Sequence, residues 1–231
     1  MSLFFFEKIL SYTIIIPIHN EESSIPQLLS ELKSFSYNNQ IIIINDGSTD
    51  STQSLLSKYN FITLKTLKSN FGKGYCILLG LKLAKYNKII TYDGDLELET
   101  KSLTKLMILN KSNKINYVLG SRFIKINPYL SIWNFGNYIF KELFNFLHKS
   151  KINDVLCCAK SFYKSDLPIE DIKSKGFDID VELTSILFQK FNKSIIIPIH
   201  YTRRNINEGK KITITDGFKI FKRIIIRKYF N

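Results

Sequence analysis

Glycine and proline are scarce, ten and five in 231 residues. That excludes collagen-like chains and Pro/Gly-rich disordered chains. Cysteine is scarcer still, with only Cys76, Cys157 and Cys158. An odd count with two neighbours gives no disulfide framework, and a reducing compartment fits. All three read as small buried apolar side chains. The three histidines have no metal-site spacing. No apolar run reaches the roughly 18–20 residues that cross a bilayer. The first ten residues are apolar but lack a basic leader and a small-residue cleavage site, so no signal peptide is expected. Zinc-finger spacing, an RNP-like aromatic motif and an Arg-rich arm are also missing, so nucleic acid is not an expected partner. Acidic residues are outnumbered 20 to 33 by Lys and Arg, which leaves a net charge of +13. Such a surface suits an anionic membrane or a phosphorylated substrate.

What is present is apolar and regular. Hydrophobic residues make up 45% of the chain, enough for one substantial α/β core. Apolar runs at 12–18, 40–45, 61–67, 88–92 and 117–119 read as strands. Between them Ile25, Leu28, Leu29 and Leu32 recur at helical spacing. Leu55, Leu56 and Tyr59, the stretch from Gly72 to about Lys85, and Leu103, Leu106 and Met107 mark further helices. Strands separated by helices predict βαβ units and a mainly parallel sheet. Downstream, 133–147 reads as an aromatic-rich helix, 154–163 as a strand, 180–190 as a helix and 195–199 as a strand. The tail, 217–231, interleaves Phe218, Phe221, Ile225 and Tyr229 with lysines and arginines. It reads either as an amphipathic helix on an anionic interface or as an ordinary packed helix.

In parallel sheets ligands bind beyond the carboxyl ends of the strands. The polar motifs of the first half all fall there. Asp93-Gly94-Asp95 offers two carboxylates to one hard divalent cation, which takes phosphate and water as its other ligands. Gly94 allows backbone to pass close to a ligand. The alternative is an Asp-Gly turn beside a solvated acidic loop containing Glu97 and Glu99. Asn45-Asp46-Gly47-Ser48-Thr49-Asp50 follows the second strand. Asp46 can accept from a base or ribose, while Asp50 suits a helix cap. Pro17-Ile18-His19-Asn20-Glu21-Glu22 follows the first strand, and a glutamate there can hold donor hydroxyls. Gly72-Lys73-Gly74 can meet phosphate at a helix start, although the Walker pattern is missing. Arg122, Arg203, Arg204, Lys210 and Lys211 supply further cations.

Taken in order, IPIHNEE (16–22), INDGSTDST (44–52), FGKGYC (71–76), DGDLE (93–97), GSRF (120–123), DVLCCAKSFYKSD (154–166), GFDIDVEL (176–183) and the segment 197–219 resemble the family 2 glycosyltransferases of the GT-A fold. Within that family they are most similar to the dolichyl- and polyprenyl-phosphate sugar synthases. The resemblance implies a Rossmann-like, mainly parallel sheet flanked by helices, with a C-terminal amphipathic helix. It implies one domain over 1–231, with a nucleotide-sugar half at 11–125, an acceptor-side half at 126–215 and a basic tail at 216–231. Pro17, His19 and Glu21 would line the nucleotide, and Asp46 would contact the base. Asp93 and Asp95 would meet the diphosphate and a Mg²⁺ or Mn²⁺ ion, with Glu97 in the metal shell. Arg122, Arg204 and Lys211 would touch phosphates. Asp95, Arg122 and Glu182 would carry catalysis.

The resemblance further implies inverting transfer of a hexose from a GDP- or UDP-sugar to a polyprenyl phosphate. The expected location is the cytoplasmic face of a membrane, bound peripherally. Transfer to a sugar hydroxyl of a cell-surface glycan is the alternative, and would need Glu182 or Asp180 as base. A catalytically inactive paralogue that only binds nucleotide-sugar is another. Departures are His19 where an aromatic Tyr is common, and the absence of a second Arg after Arg122. Sequence leaves the sugar, the nucleotide and the oligomeric state open.

Overall fold

The computed structural model describes residues 11–204 and 213–230. Lys210, Lys211 and the first ten residues, each discussed above, lie outside the described residues.

Seven strands form one sheet: β1 (Tyr12–Ile18), β2 (Gln40–Asn45), β3 (Thr63–Thr66), β4 (Lys88–Thr91), β5 (Tyr117–Ser121), β6 (Lys160–Tyr163) and β7 (Ile195–Pro198). Their order is β3-β2-β1-β4-β6-β5-β7. All neighbours pair in parallel except β6, which runs antiparallel to both β4 and β5. Seven helices accompany the sheet: α1 (Ile25–Leu32), α2 (Thr52–Leu56), α3 (Lys73–Leu83), α4 (Ser102–Leu106), α5 (Ile132–His148), α6 (Ile179–Phe191) and α7 (Ile214–Tyr229).

Period-2 side-chain alternation explains why β1 and β2 are almost wholly apolar. Ile42 and Ile44 of β2 join Ile15 of β1 in a core shared with α3, α6 and α7. Ile41 and Ile43 join Ile14 and Ile16 in the opposite core, shared with α1, α2 and α4. Both faces are covered, so neither strand can carry a polar stripe.

The strands expected at 61–67 and 154–163 are shorter than that reading. Only Thr63–Thr66 and Lys160–Tyr163 are paired. In the second case residues 154–159 are buried loop that turns the chain into β6. Apolar composition marked the burial there but not the backbone conformation.

α7 begins with a capping box. The Thr213 hydroxyl accepts from the Asp216 N–H, and the Asp216 carboxylate accepts from the Thr213 N–H. Its Ile220, Ile224 and Arg227 are buried against the body of the protein. The tail is therefore a packed helix along that face. Ile214, Phe218 and Phe221 remain exposed.

Candidate active site

One cavity of about 790 Å³ opens at the carboxyl ends of the parallel strands. Pro17, Ile18 and His19 reach it from β1, Asp46 from the end of β2, Asp93, Gly94, Asp95 and Glu97 from the turn after β4, and Arg122 from the end of β5. Cys158 arrives from the entry to β6, whose reversed direction brings its start to the same edge. Gly72 and Lys73 come from the start of α3, Asp180 from α6, and Trp133, Phe135 and Phe140 from α5. Arg203, Arg204, Ile214 and Ile220 complete the wall.

The acidic end gathers Asp93, Asp95 and Glu97. The Asp95 Oδ1 accepts the Glu97 N–H at 3.0 Å. Burial, then the negative charges of Asp93 and Glu97, push the Asp95 carboxyl up to about 7. Gly94 is fixed by packing: a Cβ there would stand 2.8 Å from Ile18 Cγ1 and 3.1 Å from Ile16 Cγ2. The glycine between the two aspartates thus lets the turn settle on β1. That is a different cause from the ligand approach inferred from sequence.

Glu97 acts as a latch. Its Oε1 accepts the Arg204 N–H at 3.0 Å, and its carbonyl accepts the Thr202 N–H at 2.9 Å. Arg204 in turn reaches Glu21, with Nη1 2.7 Å from Oε2. The expected three-carboxylate metal set is not assembled. Among the described residues no three His, Cys, Asp or Glu side chains converge as an ion site. The donors present are hard oxygens, and Asp93 and Asp95 suit a Mg²⁺ or Mn²⁺ ion that takes its other ligands from diphosphate and water.

Asp46 lines the wall, yet both its oxygens are engaged. They accept the Phe71 N–H at 2.7 Å and the Gly72 N–H at 2.8 Å. His19 Nδ1 lies 2.8 Å from the Asp46 carbonyl oxygen. Together these contacts tie β1, β2 and the loop into α3. Gly72 sits at φ +96°, and a Cβ there would meet the Lys175 carbonyl at 2.4 Å.

Arg122 reaches the cavity already paired. Its Nε and Nη2 grip the two oxygens of Asp154 at 2.8 and 2.9 Å, and its backbone N–H meets the same carboxylate at 3.0 Å. The rings of Phe123 and Tyr201 flank the guanidinium at 5.3 and 5.5 Å. Asp154 was not singled out from sequence. Its only signal was an acidic residue inside an otherwise apolar stretch.

Lys73 is the cation that answers the acidic end. Its Nζ lies 2.8 Å from Asp93 Oδ1 and 2.8 Å from Asp180 Oδ2. Lys160, buried in β6, adds a contact to Asp180 Oδ1 at 3.5 Å. Burial would raise the Asp180 carboxyl, but Lys73 and Lys160 outweigh it and hold it below the usual carboxylate range. Asp180 is therefore a weak proton acceptor where it stands. Sequence singled out neither lysine's pairing. A lysine in the short apolar strand KSFY was the available signal for Lys160.

The candidate Glu182 is a correction. It is fully buried and does not line the cavity. Its oxygens accept the Ser174 N–H at 2.7 Å and the Arg227 Nε at 2.7 Å, and Arg227 Nη2 also bonds it. Arg223 Nη1 stands 3.5 Å away. Successive helical residues point about 100° apart, so two positions along α6 turn this side chain away from the face that carries Asp180. It locks α6 to α7.

These residues belong to a recognisable family. The sequence pattern described as "Glycosyl transferase family 2" matches residues 13–167. The chain belongs to that family. Glycosyltransferase AglJ of Haloferax volcanii is 25% identical over 224 residues, covering 94% of this chain and 72% of that one. The UDP-N-acetylglucosamine–dolichyl-phosphate N-acetylglucosaminyltransferase of Methanococcus voltae is 28% identical over 246 residues, covering 93% of this chain and 95% of that one. Among solved structures, glucosyl-3-phosphoglycerate synthase of Mycobacterium tuberculosis, in complex with Mn²⁺, UDP and its product, superposes with a TM-score of 0.71 at 13% identity. That overlap covers 94% of this chain and 80% of that one. The GT-A architecture expected from the motifs is the one observed.

Proposed function

We propose that this glycosyltransferase moves a hexose from a UDP- or GDP-sugar to a polyprenyl phosphate, with inversion at the anomeric carbon. The observation that carries the reading is the composition of one cavity. Carboxylates stand at one end, arginines beside them, and an apolar wall from α5 and α7 beyond.

Pro17, His19, Glu21 and Asp46 line the side where the nucleoside would lie. Asp93 and Asp95 would hold a divalent ion on the diphosphate, with Gly94 setting the turn between them. Arg122 and Arg204, with Lys211, would meet phosphate oxygens. Arg122 is preorganised for this by Asp154, since a guanidinium fixed in advance loses little freedom on binding. Its positive charge would stabilise the negative charge that develops on a leaving diphosphate.

A lipid-phosphate acceptor is ionised near neutral pH and needs no base. That suits a cavity whose Asp180 is committed to lysines. A glycan hydroxyl would need a free carboxylate, and the named candidate Glu182 is locked in an ion pair. The Methanococcus voltae relative, named for dolichyl phosphate, favours the same acceptor class.

The rim supports a peripheral membrane position. Tyr129, Leu130, Ile132, Phe135, Ile214 and Phe218 are exposed beside the apolar wall, and Lys125, Lys219 and Lys222 are exposed around them. Apolar side chains flanked by lysines suit an anionic interface. Among the described residues no helix is long and apolar enough to cross a membrane.

The test is a panel of UDP- and GDP-sugars with Mn²⁺ or Mg²⁺ and a short polyprenyl phosphate. Labelled lipid from one donor supports the reading. Transfer only to soluble sugars would replace the acceptor, and donor binding without turnover would make the chain an inactive paralogue.

A further inference from the structure

The acidic end of the cavity already holds a cation of its own. The Lys73 ammonium sits on Asp93, with Nζ 2.8 Å from Oδ1 and 2.9 Å from Oδ2. It therefore covers both oxygens of a carboxylate expected to hold the metal ion. On its other side it meets Asp180 Oδ2 at 2.8 Å, and the Phe177 ring lies 5.8 Å away. Its side chain is only 9% exposed. Lys73 is thus enclosed and doubly paired, unlike a surface lysine that passes near a carboxylate.

The two aspartates come from different elements. Asp93 lies two residues past the end of β4 and Asp180 in the first turn of α6, while Lys73 is the first residue of α3. Gly72 and Gly74 allow that first turn to press against the 174–176 backbone. A Cβ at Gly74 would stand 2.4 Å from the Ser174 carbonyl oxygen. The approach that delivers Lys73 to the carboxylates is therefore built into the backbone.

Two cations held on the one Asp93 carboxylate would repel each other, the more so because Lys73 is itself enclosed. Asp180 supplies a second anchor to which the ammonium can retreat, and a bound diphosphate supplies a third.

We propose that Lys73 is a charge placeholder: it occupies Asp93 in the absence of donor and yields that carboxylate to the divalent ion only when a nucleoside diphosphate arrives to receive the ammonium. Lys73 is a positioning residue in this role. It makes ion uptake conditional on the donor, so the acidic end does not fill with an ion that has no diphosphate to hold. The inference rests on the metal reading of Asp93 and Asp95 given above.

The test measures free Mn²⁺ by its paramagnetic resonance during titration of the purified chain, alone and with UDP or GDP. The variants are Lys73→Met, Lys73→Gln and Lys73→Arg. Gln keeps an amide N–H donor for the carboxylates, which gives a second neutral variant should Met lose structure. Lys65→Met removes the same formal charge from an exposed strand position as a control. Lys73→Met and Lys73→Gln are expected to bind Mn²⁺ without nucleotide at least about tenfold more tightly than the unaltered chain. Lys73→Arg and Lys65→Met are expected to leave it within about twofold. The factor by which UDP or GDP tightens Mn²⁺ binding should shrink correspondingly in the neutral variants, because the two events are reciprocally linked.

The proposal fails if folded Lys73→Gln binds nucleotide-free Mn²⁺ no better than the unaltered chain while nucleotide still promotes Mn²⁺ uptake and Asp95→Asn abolishes it. That result keeps the metal reading and removes only the placeholder. Absence of any nucleotide-promoted Mn²⁺ uptake in the unaltered chain removes both.

Discussion

Two acidic clusters in this molecule have opposite fates. At the cavity, Asp93, Asp95 and Glu97 crowd one turn, and burial with like charge lifts Asp95 to about 7. At the α6–α7 junction, Asp178 and Glu182 are matched by Arg223 and Arg227. Burial alone would raise Glu182, but hydrogen bonds from Ser174 and the charges of Arg227 and Arg223 hold it below its ordinary value. Lys73 answers only part of the charge in the first place, on Asp93, while paired arginines neutralise the second. A partly balanced cluster in a cavity keeps a preference for a cation ligand, whereas a paired one makes the loss of either partner costly.

The comparison is broken most severely by Asp95→Asn. Transfer should fall on the order of 10²–10³-fold, while the melting temperature holds or rises because repulsion is relieved. A radiolabel transfer assay paired with thermal unfolding checks both halves. A drop in stability comparable with that of the junction variants would erase the distinction.

Arg227→Ala is the mirror experiment. It leaves Glu182 buried and unpaired, and should cost about 3–5 kcal/mol in urea unfolding. Folded Glu182→Gln should keep the pH–rate profile of the unaltered chain, because Glu182 touches no reacting group. A lost limb of that profile would restore Glu182 as a base.

Acid sharpens the contrast further. Glu182 binds its proton less readily folded than unfolded, so its contribution is full above its ordinary value near 4.5 and is lost as pH falls through the lower folded value. Asp50 and Asp216 shift in the same direction. Urea midpoints should rise as pH falls from about 8 to 5.5, because Asp95 binds its proton more readily folded than unfolded, and then fall below about 4.5 as the lowered carboxylates are protonated. Glu182→Gln should flatten part of that acid limb.

The smallest effect concerns the rim. Phe218→Ser should lower co-sedimentation with anionic vesicles by about three- to tenfold, given the transfer energy of a partly inserted aromatic ring. Its melting temperature should not change, because Phe218 is exposed. Equal pelleting would move the membrane contact elsewhere.

Much of the first half was legible. β1, β2 and β4 end almost where apolar runs meet Pro17, Asn45 and Asp93, since a strand covered on both faces must be apolar along its whole length. The cavity carboxylates were legible for the same reason: each polar motif follows a strand directly. The second half was not. Residues 154–159 resemble a strand in composition but run as buried loop, and Asp180 and Glu182 look interchangeable in the string DIDVE. Helical geometry separates them, because positions two apart face nearly opposite ways.

Order along the chain was enough to determine the alternation of strands and helices, the family, and the acidic turn at Asp93-Gly94-Asp95. Each depends on neighbours within a few residues. The tertiary structure alone decided that Lys73 covers Asp93, that Asp154 holds Arg122, and that Glu182 belongs to Arg227. Those partners lie 20, 32 and 45 positions apart. The energy of a buried charge depends on whichever opposite charge the fold delivers to it, and spacing along the chain carries no record of that.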